Sequence, residues 1–178
     1  MNKARKAARA GIDSGAIRAA AKDYEDGAVT AGYQADRKLV VDMLNGALAT
    51  ELVCVLRYKR HYYTASGLQN GPIKAEFLQH AAEEQGHADL LAERIVQLNG
   101  QPDFNPATLS ERSHAEYDDS RDVQGMIKAN LIAERVAIES YRQMIETLGE
   151  TDPTTRLMLV GIMAVEEQHA DDMRDLLA

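Results

Sequence analysis

Cysteine is almost missing from this sequence of 178 residues, where Cys54 stands alone. That excludes an intrachain disulfide framework and any paired-cysteine zinc or rubredoxin-type motif. Tryptophan is absent, phenylalanine occurs twice and proline four times. So little proline leaves long stretches free to run as uninterrupted helix. No run approaches the eighteen consecutive apolar residues of a membrane span, and the first thirty residues hold no signal-peptide apolar stretch. A cytoplasmic location without membrane attachment is the expectation.

What is there suits one domain, since 45% hydrophobic residues can build a core. The net charge of −8 is unevenly placed: residues 1 to 38 carry +3 and the remainder −11. An acidic body concentrates cations around it, as metal uptake requires. The cations at the start (Lys3, Arg5, Lys6 and Arg9) suit a phosphate backbone, so DNA is a candidate partner. A solvated, partly helical tail is the plainer alternative.

Alanine, leucine, glutamate, methionine and arginine abound, and the punctuation divides the body into four helical segments. The first spans residues 37 to 66, with Leu39, Met43, Leu44, Leu48, Leu52, Val55 and Leu56 on one stripe. The second runs from Gly71-Pro72 to Leu98, where Asn99-Gly100-Gln101-Pro102 stops it. The third covers residues 122 to 148 and ends at Gly149; Asp152 and Pro153 then cap and start the fourth, which runs almost to Ala178. Short turns near residues 67–72 and 149–152 imply antiparallel neighbours. The connector near residues 100–120 is long enough to cross: twenty extended residues reach roughly 65 Å, against about 40 Å for a 27-residue helix. An all-α bundle of two helical hairpins joined by a long crossover follows, over residues 37–178. Residues 1–36, interrupted by Gly11, Gly15, Gly27 and Gly32, read as an appended N-terminal arm.

The body repeats itself in its chemistry. Glu51 lies 33 positions before Glu84, and His87 follows three residues later; Glu134 lies 32 positions before Glu166, and His169 follows three later. On a helix, a Glu and a His three apart share one face. Two such helices plus one Glu from each of the others aim four carboxylates and two imidazoles at one interior volume. Four carboxylates balance two divalent cations, whereas alone they would repel and protonate. Oxygen and imidazole donors without thiolate suit Fe or Mn better than structural zinc. One Glu-x-x-His pair means little, because chance supplies roughly half a pair in such a composition. Glu111 and His114 make a third pair, but fall in the proline-bearing connector and are set aside.

The order Glu51, Glu84-x-x-His87, Glu134, Glu166-x-x-His169 over residues 39–178 resembles the ferritin-like superfamily. The wide spacing from Glu51 to Glu84 most resembles bacterioferritins and the Dps-like ferritins that share their metal site. The string Ala133-Glu134-Arg135-Val136-Ala137-Ile138-Glu139-Ser140-Tyr141-Arg142 resembles that second group too. The resemblance covers about four-fifths of the chain and says nothing of the arm. It implies a ferritin-like four-helix bundle holding two Fe ions per subunit, with Mn as the alternative metal. Glu51 and Glu134 would be terminal ligands, Glu84 and Glu166 bridges, and His87 and His169 would complete one metal's shell each. Tyr58 matches the tyrosine near the family's di-iron site and is the candidate catalytic residue, as hydrogen-bond donor or electron donor. Tyr141 stands at the same offset from Glu134, where seven-residue spacing is also ordinary core packing.

The implied activity is ferroxidase: Fe(II) oxidised by O2 or H2O2, and iron stored or detoxified as ferric mineral in a homo-oligomeric shell. Three departures qualify it. Gln85 replaces the methionine that ligates haem in bacterioferritins, so haem is not expected. The sequence ends nine residues after His169, short of the fifth helix of 24-subunit ferritins, which favours a dodecamer. Cys54 alone cannot supply the cysteine pair of many Dps-like ferritins and reads first as a small core residue. His80, seven residues before His87, reads first as structural and second as a guide for metal. The rival readings are a di-iron or di-manganese peroxidase or catalase without storage, and a DNA-binding protective shell protein.

Overall fold

The computed structural model describes residues 11–22 and 26–178, and it is all-helical, with no strand among those residues. The chain divides into two compact units, residues 1–33 and 34–178. In the first, α1 (Ser14–Ala20) begins where the Asp13 side chain accepts from the Gly15 and Ala16 amides, at 2.8 and 3.1 Å, and none of its residues is buried. The four cations Lys3, Arg5, Lys6 and Arg9 lie outside the described residues.

The second unit contains α2 (Arg37–Thr64), α3 (Gly71–Gln97), the short α4 (Leu109–Arg112), α5 (Val123–Leu148) and α6 (Pro153–Asp175). Helix α2 pairs with α3 and α5 with α6, so two hairpins form the bundle, joined by α2 against α5 and α3 against α6. Aspartates start three of the long helices. Asp36 accepts from the Leu39 amide, Asp122 from Gly125 and Asp152 from Thr155, each supplying an acceptor to the first helical turn. Gly149 closes α5 at φ +51°, a backbone conformation that side chains with a Cβ resist. Gly100 is required for a different reason: a Cβ there would sit 2.7 Å from Val41 Cγ1 on α2.

The connector crosses as expected, but it contains the α4 turn and is tied to α2 along its length. Asn45 bonds Gln101 O and the Asp103 amide; Thr50 accepts from the His114 amide; Arg57 donates to Glu116 O and Arg60 to Ser120 O. His114 therefore serves as a strap, its ring lying 3.2 Å from where a Cβ on Gly46 would be. Glu111 is exposed.

The apolar stripe of α2 is only partly inside. Leu44 and Leu48 are fully buried and Val55 nearly so, whereas Leu39 is 47% and Leu56 52% exposed. Leu56 sits about 100° around the helix from Val55, beyond the arc that α3 and α5 cover. By length and composition α2 could cross a membrane, yet 56% of its apolar window is buried within the unit, as befits a bundle's central helix. Cys54 packs with Ala115, Ala133 and Val136 beneath the crossover, the core role expected of it.

A buried polar tie at one end helps join the two hairpins. Arg94 of α3 donates to both Asp152 oxygens at 3.1 Å and to Thr155 Oγ1 at 2.8 Å, while Asp152 also caps α6. Asp152→Ala removes the cap and leaves Arg94 buried without its carboxylate, so chemical denaturation should show a loss of about 3 kcal/mol or more. A loss below about 1 kcal/mol would contradict this account.

Candidate metal centre

Each long helix of the bundle contributes one glutamate at mid-length, and α3 and α6 add a histidine one turn later. Helical geometry then fixes where the side chains meet. Glu51, Glu84, Glu134 and Glu166 are each at most 1% exposed, and His87 and His169 are buried with them. Two groups result, and their ligand atoms lie within 4.8 Å of one another: Glu51, Glu84, His87 and Glu166; and Glu84, Glu134, Glu166 and His169. All six residues singled out from sequence are thus brought together, and Glu84 and Glu166 belong to both groups.

The two shared carboxylates divide their oxygens between the histidines. His87 Nδ1 lies 2.8 Å from Glu166 Oε1 and 3.4 Å from Glu84 Oε2. His169 Nδ1 lies 3.6 Å from Glu166 Oε2 and 3.7 Å from Glu84 Oε1. Glu51 Oε2 completes the first group at 3.5 Å from His87, and Glu134 Oε2 the second at 3.7 Å from His169. The atoms facing this volume include Glu51 Oε2, Glu134 Oε2, both oxygens of Glu84 and of Glu166, and Nδ1 of each histidine. Every one of them is buried without a hydrogen-bond partner. Buried polar atoms are otherwise nearly always paired, so a convergent unpaired set is the donor array that two cations would satisfy.

The outer contacts hold the glutamates and one histidine. Tyr58 of α2 donates to Glu134 of α5 at 2.5 Å, and Tyr141 of α5 donates to Glu51 of α2. The equal offsets of the two tyrosines thus reappear as a crossed pair, and Tyr141 does more than pack. Glu83 accepts from His169 Nε2 at 2.7 Å, which leaves Nδ1 free to face the centre. His80 lies against the same outer layer: its Nδ1 is 3.1 Å from the Tyr58 hydroxyl and its ring stacks on His169 at 3.9 Å. Arg57, fully buried, donates to Asn130 Oδ1 at 2.8 Å and to Cys54 Sγ at 3.3 Å. Neither Arg57 nor Glu83 has a sequence signal, because the first relies on a partner 73 positions away and the second on one 86 away.

Protons respond to the crowding. Burial, and then the charge of Glu84, pushes Glu51 well above the usual carboxylate range. Burial and the charge of Glu51 raise Glu166 to about 7. Burial would raise Glu134 too, but its contact with His169 outweighs it and holds Glu134 down to about 2. Burial opposes a charge on His87, yet Glu166, Glu51 and Glu84 outweigh that and lift it to about 12. His169 is raised in the same way by Glu134, Glu166 and Glu84. Burial lowers His80, helped by its neighbour His169.

The sequence model of the Ferritin-like domain matches residues 41–178. The nutrient stress-induced DNA-binding protein of Synechococcus sp. is 29% identical over 144 residues, covering 78% of this chain and 81% of its own. The bacterioferritin of Brucella melitensis is 30% identical, covering 78% of this chain and 84% of its own. Among solved structures, the dodecameric thioferritin of Bacteroides fragilis, described as bacterioferritin-related, superposes with a TM-score of 0.77 at 32% identity, covering 81% of this chain and 87% of that one.

The pKa directions set the sign of a pH effect. Near neutral pH both raised histidines carry protons in the metal-free chain, and a cation can take the site only by displacing them. Loading with Zn(II) at pH 7 should therefore release about two protons per chain or more, read from the buffer dependence of calorimetric heats, and affinity should fall as pH is lowered. Binding without proton release would contradict the arrangement.

Proposed function

The chain belongs to the ferritin-like family of iron-storage and Dps proteins, and from that premise we propose that its centre binds two Fe(II) ions and oxidises them with O2 or H2O2. In this reading Glu84 and Glu166 would bridge the two ions, Glu51 and Glu134 would be terminal ligands, and His87 and His169 would complete one shell each. The carrying observation is the way Glu84 and Glu166 each turn one oxygen toward His87 and the other toward His169. Bound there, two iron ions supply the electrons that reduce the oxidant.

The chain's own residues prepare that chemistry. Tyr141 and Tyr58 hold Glu51 and Glu134 in place, and Glu83 fixes the ring of His169. On the opposite side, His87 borders a surface hollow of about 470 Å³ walled by Leu90, Leu157, Met158, Ile162 and Val165. Of the two oxidants, that apolar wall suits the approach of O2. Ferric product then passes to mineral inside a homo-oligomeric shell, for which a dodecamer is the favoured size. The alternative without storage uses the same ligands and differs only in the fate of the iron.

Aerobic Fe(II) titration with simultaneous sizing of the assembly is the test. Rapid ferric absorbance, continuing beyond two Fe per chain in a hollow oligomer, is the expected result. Oxidation no faster than in buffer would overturn the proposal, and a stop at two Fe per chain with no shell would favour the non-storage enzyme. Glu84→Ala, which removes a bridge, should lower oxidation to the buffer rate. Tyr58→Phe should keep the metal stoichiometry and slow oxidation by about tenfold, with Tyr141→Phe milder, since only Tyr58 is backed by His80.

A further inference from the structure

A second cluster stands outside the six ligands, on the α3–α6 side of the centre. Glu76 and His80 lie one turn apart on α3, and Asp172 faces them from α6. His80 Nε2 is 3.3 Å from Glu76 Oε1 and 3.6 Å from Asp172 Oδ2, and the three ligand atoms fall within 4.8 Å of one another. His80 is fully buried, whereas the two carboxylates are about one-third exposed.

The decisive feature is how the His80 ring is held. Tyr58 has one hydroxyl proton and donates it to Glu134 at 2.5 Å. The contact between His80 Nδ1 and the Tyr58 oxygen, at 3.1 Å, must then be made by a proton on Nδ1. Nε2, on the other edge of the ring, faces the two carboxylate oxygens and is buried without any hydrogen-bond partner. Stacking on His169 at 3.9 Å fixes the plane of the ring and so the direction in which Nε2 points. A cation between the three groups gives Nε2 the partner it lacks.

We propose that Glu76, His80 and Asp172 form a third divalent-cation site, with one imidazole and two carboxylate donors and open positions for water. Such a set suits Fe(II), Mn(II) or Zn(II), and its partly exposed carboxylates make it reachable from solvent. The site sits one hydrogen-bonded relay from the centre, through His80, Tyr58 and Glu134. Its use as a staging point for Fe(II) rests on the two-metal reading above; its capacity to bind a cation does not.

Zn(II), which is redox-inert, tests the site in the full chain. Anomalous diffraction from crystals soaked in Zn(II) should place three ions per chain, one of them among Glu76, His80 and Asp172. Solution titration should give three equivalents, falling to two in the Glu76→Gln/Asp172→Asn double variant, which spares the buried histidine and every ligand of the centre. Circular dichroism checks that this variant keeps its helices; if it does not, the location of the third ion in the unaltered chain decides. Ions at the centre alone, with equal stoichiometry in both proteins, overturn the third site and leave the proposed function standing. An ion among Glu76, His80 and Asp172 with none at the centre upholds the third site and overturns the two-metal reading. A third ion seen only in soaked crystals and absent from the solution stoichiometry overturns it as an adventitious ion only.

Discussion

Four carboxylates share one buried volume, and the rest of the bundle is arranged around that fact. Glu51, Glu84, Glu134 and Glu166 are essentially without solvent contact. Isolated buried charges cost far more than a domain of this size can offset, so the arrangement demands positive charge within the same volume. Protons on His87, on His169 and on the raised Glu51 meet part of that demand, and two divalent cations would meet all of it. The helices answer the remaining requirement, which is position. Each glutamate sits well inside a helix of 23 to 28 residues, where a full hydrogen-bond ladder on both sides keeps the backbone from yielding to the repulsion. The crossed tyrosines then give Glu134 and Glu51 one neutral donor each, which steadies their positions without adding charge.

The centre was legible in the sequence because its geometry is local. A Glu and a His three apart share a helix face whatever surrounds them, and the repeat of 33 and 32 positions states that two such helices have partners in register. Helix starts were legible for the same reason, since Asp122 and Asp152 cap their own helices within three residues. What escaped the sequence depends on distant partners. Seven-residue spacing put Tyr58 and Tyr141 near the right face but could not say that each bonds the other helix's glutamate. Leu39 and Leu56 fitted an apolar stripe, yet which part of the stripe is covered is decided by where α3 and α5 lie. Arg57 gave no sign of being buried, because its amide partner Asn130 is on another helix and its third donor meets a crossover carbonyl.

Duplication explains the two-fold character of the centre, and its departures locate the chemistry. Overlaying α3 on α6 by their Glu-x-x-His motifs puts Glu83 where α6 has Val165, and His80 where α6 has Ile162. The Glu-x-x-His pairs are repeated while the surroundings are not. His169 has a carboxylate behind its ring, so its Nδ1 is fixed toward the interior and the ring is made more basic. His87 has apolar side chains behind it instead. Two positions with the same ligand types therefore differ in hydration, field and donor strength. The His169 side is lined with groups that attract cations and hold protons, and the His87 side with groups that attract neither. A symmetric centre would offer cation and neutral oxidant the same path. Under the proposed two-metal reading, the changed surroundings would separate those paths: Glu76, His80 and Glu83 on α3 stand against Met158, Ile162 and Val165 on α6, and Asp172 stands against Leu90, while the four carboxylates are kept.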